Sequence, residues 1–556
     1  MKLLNNLFPD ARIRAIAIAA GAMFTLAVSL YISGYINQNL AGESFYDFHY
    51  PDRFGLLASI KVFFLNRIRS RLGHGIFVSF MYELLGYNPP AFFLVIQFLV
   101  IGTATFIALA IKDFVKDSRL LALLVVSLTL LPLNIHYIVF LKNAHHVMSW
   151  FAFWASTFFF VTWSRTKITK WLFVSALVFI ASVLTYEVSV ALLPVAFFLG
   201  LQYFEKPKQL LRPFLAVVAV TGLAVLLFFV VEYVKPGGNI NNFYGDIGAT
   251  KKLLGVLSIP SNAAVGVWND GLFGLSVSPT PLISSAAKLF VLGAFLVSIF
   301  AFFRAIPKEK GGIYQALFTP PAILLMAGLW LAVFGALPHH FANQGIEADS
   351  LRGAAFGLFF FAAAAYWWIR QTGRVVLASV FFASLSLFWI GIGSSSYIQA
   401  HQDRVVLEKV IANFVFSLKQ EVPYVKENTT FIYVNASLGR TGCIGMMNML
   451  YSRDKLQCIH LMDKDAPDSY ARLPGMLKED SGREYEEDFI ILTFDEEGYA
   501  TIIDQLSPTA YPTAPIQWID DTPILTNTSR IMQAADPDSR PSLFFDYMLQ
   551  ARTQTD

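Results

Sequence analysis

The chain has 556 residues, 55% of them hydrophobic and only 15% charged. Soluble proteins carry about 25% charged residues, so this composition excludes an ordinary water-exposed globular surface. The formal net charge of +3 gives no basic field of the kind that attracts nucleic acid, and two cysteines, Cys443 and Cys458, cannot make a zinc site alone.

Crossing a bilayer core takes roughly 20 apolar residues. Arg12 and Arg14 precede the run Ala15–Ile32, which is long for a signal-peptide core and ends in no clear small-x-small cleavage site; it reads as an uncleaved first span. Further candidate spans follow at about 91–111, 120–140, 149–164, 171–186, 188–204, 214–234, 286–304, 316–337, 354–369 and 375–393, which makes eleven. The stretch 171–204 is too long for one helix and has Tyr186 and Glu187 in its middle, so it reads as two short helices meeting at Glu187. Between the first two spans, 54–65 and 75–86 are apolar but too short to cross. With Arg67, Arg69 and Arg71 between them they fit segments lying in the interface plane. A second long loop, about 235–285, is rich in Gly, Asn and Pro.

Lysine and arginine collect in alternate connections: Lys2, Arg12 and Arg14; Lys112, Lys116 and Arg119; Arg165, Lys167 and Lys170; Lys206, Lys208 and Arg212; Arg304, Lys308 and Lys310; Arg370 and Arg374. The positive-inside rule makes these cytoplasmic, with the N-terminus inside and the tail after about 395 outside. That tail shows a helix over about 397–421, β-like runs at Thr430–Val434, Gln457–Leu461 and Phe489–Thr493, and a helical stretch over 443–452. The alternation predicts a small α/β domain. The expected organisation is therefore an all-α polytopic membrane domain over 1–394, with its first outer loop at 35–90, and a soluble extracytoplasmic α/β domain over 395–556.

Polar residues that could carry chemistry gather in the predicted outer connections. The first loop holds Glu43, Asp47, His49, Asp52 and Arg53 within one short segment. A carboxylate there could take a proton from an attacking hydroxyl, and an arginine could grip a phosphate; the plainer reading is a polar external loop. The connection after the third span holds His136, Lys142, His145 and His146. These suit a phosphate leaving group or a metal, or else serve as interfacial anchors. Glu187 at the hairpin tip is a functional candidate because acids near membrane depth are expensive, unless the tip simply reaches water. Arg352, entering the tenth span, could hold a phosphate or snorkel to headgroups. A disulfide between Cys443 and Cys458 fits an external compartment, against two buried free thiols. The sequence has no Walker motif and no Gly-x-Ser-x-Gly elbow.

The layout resembles the GT-C superfamily of membrane glycosyltransferases, which includes protein O-mannosyltransferases, lipid A aminoarabinose transferases and O-antigen glucosyltransferases. The resemblance rests on the inside N-terminus, the long acidic first outer loop with two interfacial segments, and the short helical pair at 171–204. Leu84-Leu85-Gly86-Tyr87-Asn88-Pro89-Pro90-Ala91-Phe92-Phe93 leads into the second span, similar to the entry common in these enzymes, and a soluble extracytoplasmic region closes the chain. It implies transfer of one sugar from a polyprenyl-phosphate donor to a glycan, lipid or protein acceptor at the outer membrane face. The base would be an acid of the first outer loop. Many members carry Asp-Asp or Asp-x-Asp there; this chain has Asp47, with Asp52 five residues later and Glu43 four earlier. Asp47 is the first choice and Asp52 the second. By the same resemblance Arg53, Lys142, His145 and Arg352 are donor-phosphate candidates, and Glu43, His49 and Glu187 are further site candidates. Family members differ in metal use, so no cofactor is required and a divalent Mg or Mn stays open. The expected location is the bacterial inner membrane; an endoplasmic reticulum location would keep the same geometry. The alternatives are a transporter or flippase, or a polymerase, of lipid-linked glycans.

Overall fold

The computed structural model describes residues 9–33, 44–66, 72–131, 134, 144–186, 189–234, 319–334, 352–423, 425, 429–434, 440–452, 456–461, 489–494, 497–502 and 545. These are mostly helical. In chain order they form α1 (Ala11–Ile32), α2 (Ser44–Asn66), α3 (Leu72–Leu85), α4 (Pro89–Ile111), α5 (Ser118–Thr129), α6 (Ala144–Thr166) and α7 (Thr169–Thr185). Next come α8 (Ser189–Leu201), α9 (Pro207–Val234), α10 (Pro320–Phe334), α11 (Arg352–Gln371) and α12 (Val375–Glu421). The remainder is β1 (Thr430–Val434), α13 (Arg440–Tyr451), β2 (Gln457–Leu461), β3 (Phe489–Phe494) and β4 (Ala500–Ile502).

Among the described residues, three helices are long and apolar enough to cross a membrane: Ala11–Ile32, Pro89–Ile111 and the stretch Val375–Gln399 of α12. Shorter apolar helices occupy Ser118–Thr129, Thr169–Thr185, Ser189–Leu201 and Pro320–Ala332. Large apolar side chains stay exposed on α1 (Ile18, Leu26), α9 (Leu215, Leu223, Leu227) and α12 (Val376, Leu387). Helices apolar on their outer as well as their inner face belong in lipid, and the chain is a membrane protein. The expected span at 286–304 lies outside the described residues.

Local sequence accounts for the joints. Gly86, with φ +62, ends α3, and its N–H donates to the Tyr82 carbonyl at 2.7 Å; only glycine takes this conformation at little cost. Two residues on, the Asn88 side chain accepts from the Ala91 N–H at 3.3 Å and Pro89 opens α4, the arrangement that fixed φ and a missing N–H favour at a helix start. The Leu84–Phe93 fragment is thus a stop-and-start joint between two helices. Inside α2 the backbone breaks at Gly55 (φ 71, ψ 179). The element is therefore two helical pieces meeting just after Asp52 and Arg53. Farther on, α10 and α11 press together where Gly357 faces Gly328: a Cβ on Gly357 would lie 2.6 Å from the Gly328 carbonyl oxygen.

One end of the bundle is tied by charge. Asp10 caps α1 by accepting from the Arg12 N–H at 2.8 Å, and pairs with the Arg12 guanidinium at 3.0 Å. Asp113, just past α4, meets Arg12 at 3.1 Å, Lys112 at 3.4 Å and Arg165 at 3.7 Å, and accepts from the Tyr203 hydroxyl at 2.5 Å. The bond from Arg12 leads the causes that hold Asp10 at about 2, against an ordinary 3.8. Burial pulls the Asp113 carboxyl upward, but Tyr203 and the three cations together keep it below its usual value. The connections before α1, after α4, after α6 and after α8 therefore meet at one end.

The C-terminal strands form one sheet in the order β2-β1-β3-β4, with β1 parallel to β2 and β3 and β4 antiparallel to β3. Its three parallel strands lie where the alternation in sequence puts them. The last apolar helix does not stop near residue 394. α12 runs unbroken for 47 residues, about 70 Å at 1.5 Å per residue, and carries the chain from the bundle to the sheet. The expected boundary at 394/395 falls within this helix.

Candidate functional site

α3 is the spine of the other end of the bundle. Near its start Gly73 has no Cβ, and one added there would collide with Thr185 at the end of α7. That close approach brings His74 to His145, ring centroids 5.4 Å apart. His145 lies 4.2 Å from His146, and both face the Tyr186 ring, at 4.9 and 4.5 Å. The four side chains come from α3, the start of α6 and the tip of the α7–α8 hairpin, and each is at most 5% exposed. One turn deeper, hydroxyls clasp the same helices: Ser149 to Ser189 at 2.5 Å, Ser182 to Ser189 at 2.7 Å, and Ser182 to the Ser149 carbonyl at 2.7 Å. The Tyr186 carbonyl accepts from Ser189 at 3.2 Å.

Eight residues along α3 from His74, about 12 Å, the Tyr82 hydroxyl donates to Asp52 Oδ1 at 2.5 Å. Tyr82 is buried, and Phe48 of α2 packs edge-on against its ring at 5.6 Å. Burial, then the Asp52 charge, push the Tyr82 hydroxyl well above the usual tyrosine range, so it stays a donor. His49, also buried, faces Tyr50 at 5.6 Å and Phe54 at 6.4 Å. Over this face lies α13, which packs on α2. Phe48, Val78 and Tyr82 share one buried apolar cluster with Met446, Met447 and Leu450 of α13. Cys443 and Cys458 form a disulfide, Cα–Cα 6.1 Å, that fastens α13 to β2.

Of the residues singled out in the sequence, Asp52 and His49 sit side by side in α2, and His145 joins them through the far end of α3. Asp47 and Arg53 lie in α2 and Arg352 opens α11 by their backbones; their side chains lie outside the described residues, as do Glu43, Lys142 and Glu187 altogether. Among the described residues no three of His, Cys, Asp and Glu are grouped so as to hold a metal ion. Sequence reading passed over His74, Tyr82 and the role of Tyr186. His74 left a signal, a lone polar residue between two glycines in an apolar stretch; Tyr82 left none, since an aromatic at that place reads as core.

No protein-family model and no curated protein matches this chain. The chemistry available at this end is a carboxylate that accepts from a buried hydroxyl and is able to take up a proton, and a group of buried imidazoles with hydrogen-bonding nitrogens.

Proposed function

We propose that the protein is a membrane glycosyltransferase of GT-C-like architecture. It moves a sugar from a polyprenyl-phosphate donor to a glycan, lipid or protein acceptor on the outer face of the membrane. In this reading the chain has eleven spans. The Asp10–Asp113 end faces the cytoplasm, and the α/β region is an extracytoplasmic domain seated over the first outer loop.

The observation that carries the reading is convergence. The first loop, the connection before α6 and the α7–α8 tip are far apart in sequence, yet they bring Asp52, His74, His145, His146 and Tyr186 to one rim. His145 and Arg165 lie near opposite ends of α6, twenty residues and so about 30 Å apart, the thickness of a bilayer core. In this reading α6 crosses the bilayer and the candidate site sits at the outer membrane surface. Between the two ends, the buried polar groups of the described spans are hydroxyls and the Gln97 amide. Such a lining suits chemistry at a rim better than passage of a charged substrate through the interior.

The acceptor hydroxyl gives its proton to the first-loop carboxylate, Asp52 or Asp47, as its oxygen bonds to the anomeric carbon. The bond from that carbon to the phosphate oxygen breaks, and the polyprenyl phosphate leaves with the electron pair. Transfer from radiolabelled polyprenyl-phosphate sugars in membranes, with wild type, Asp47→Asn and Asp52→Asn at matched expression, tests this. Label reaching the glycan with wild type and failing with one of the two variants is expected. No transfer by wild type from any donor sinks the reading and favours transport.

A further inference from the structure

We propose that Tyr82 is a positioning residue for the Asp52 carboxylate, an inference that rests on the transferase reading above. Asp52 occupies the last turn of the helical piece that ends at Gly55. That end carries the negative pole of the helix dipole, which disfavours an acid. The neighbouring helix supplies this carboxylate with a donor. Tyr82 reaches across from α3 and donates to Oδ1 at 2.5 Å.

The donor is itself held through Phe48. Its ring meets Phe48 of α2 edge-on at 5.6 Å. Phe48, fully buried, meets Phe92 of α4 at 4.4 Å and Tyr87 at 6.0 Å. A phenol has two side-chain torsions, and with the ring clamped the hydroxyl has one place to be. Burial and the carboxylate charge keep the proton on the phenol across the working pH range, so Tyr82 does not compete for the proton that Asp52 receives. A carboxylate has about four lone-pair sites, and the Tyr82 hydroxyl takes one of them. A buried hydroxyl needs a partner, and a backbone carbonyl would serve that purpose. Pairing it with the acid just before the Gly55 break is what fixes the direction of the base.

The test is label transfer from a radiolabelled polyprenyl-phosphate sugar, per mole of monodisperse protein, by wild type, Tyr82→Phe, Asp52→Asn and the double variant. Phenylalanine keeps the ring and its packing. Tyr82→Phe is expected to lower kcat about 10- to 100-fold, the scale of a misplaced reacting group, with KM changed less than about twofold. In the Asp52→Asn background the same change costs nothing further, because the two act as a unit. Should Tyr82→Phe fail to fold, Tyr82→His keeps a ring donor at that place; a rate within about tenfold of wild type that remains sensitive to Asp52→Asn is expected. Wild-type rates in Tyr82→Phe, or the same fold loss in both backgrounds, overturn the inference. Full activity in Asp52→Asn with loss in Asp47→Asn overturns it while the transferase reading stands. A wild type that transfers no label removes both.

Discussion

Replacing Cys443 and Cys458 together by alanine removes a crosslink whose effect can be worked from the structure. The bond spans a sequence separation of 15, and releasing a loop of that size in the unfolded chain is worth about 3 kcal/mol. At about 1.4 kcal/mol per tenfold, the local opening equilibrium rises by roughly 150-fold. The region that opens is α13 with its strands. Phe431 of β1 stacks on Tyr451 of α13 at 5.8 Å, and Phe431, Leu450 and Tyr451 are all buried. Chymotrypsin reaches those bonds only through opening. Cleavage then tracks the open population as long as reclosing is fast. The cleavage rate at these three residues in detergent-purified protein is therefore expected to rise on the order of 100-fold. Because α13 packs on α2 next to Phe48, the double variant should also lose transfer activity in step with the cleavage. A rise of less than about fivefold would refute the reasoning, and so would free thiols on both cysteines of unreduced wild type.

Three further outcomes follow from packing and charge. Asp113→Asn leaves Arg12, Lys112 and Arg165 without their shared carboxylate; since the site is partly exposed, a loss of about 2–3 kcal/mol is expected, read as a lower thermal midpoint in detergent, with Tyr203→Phe costing less. Asp10 is held at about 2 and Asp113 below its usual value, so their stabilisation is fully present above the unfolded carboxylate range and fades as pH falls through the folded values. The midpoint should be flat down to about pH 4 and drop toward pH 2, and a drop already complete at pH 5 would contradict it. Gly357→Leu drives a side chain into the Gly328 carbonyl and should cost at least about 1–3 kcal/mol, lowering the yield of monodisperse protein; Gly328→Ala, with a 3.0 Å approach, should be milder.

Hydropathy locates most of the described helices because they are local runs of apolar residues, but the piece of α2 before Gly55, which carries His49 and Asp52, reads in sequence as a polar loop; alternation locates β1, β2 and β3. The span expected at 375–393 and the helix expected at 397–421 are one continuous helix, α12. The candidate site was legible only in part. Asp52, His49 and His145 stand out as polar residues at span ends, but their relation to one another does not, because it passes through α3. Nothing near residue 82 announces that its hydroxyl meets residue 52, and nothing near residue 74 announces residue 145. Asp113 was passed over for a related reason: its partners come from three other connections, and each alone reads as a basic loop.

The two polar ends of the bundle are built on different principles, and the difference separates support from chemistry. At the Asp113 end one carboxylate meets Arg12, Lys112, Arg165 and the Tyr203 hydroxyl, all within 3.7 Å. Arg12, Lys112 and Tyr203 donate hydrogen bonds to it and Arg165 pairs at longer range, so the cluster ties four connections to one carboxylate. At the opposite end the Tyr82 hydroxyl donates to Asp52, and three imidazoles gather around Tyr186. Such groups give little locking per residue and much capacity to move protons. The ends are about 30 Å apart along α6, beyond the range over which substitutions couple without shared partners. Weakening the Asp113 cluster should therefore lower the amount of folded protein while leaving the rate per folded molecule and its dependence on Tyr82 unchanged.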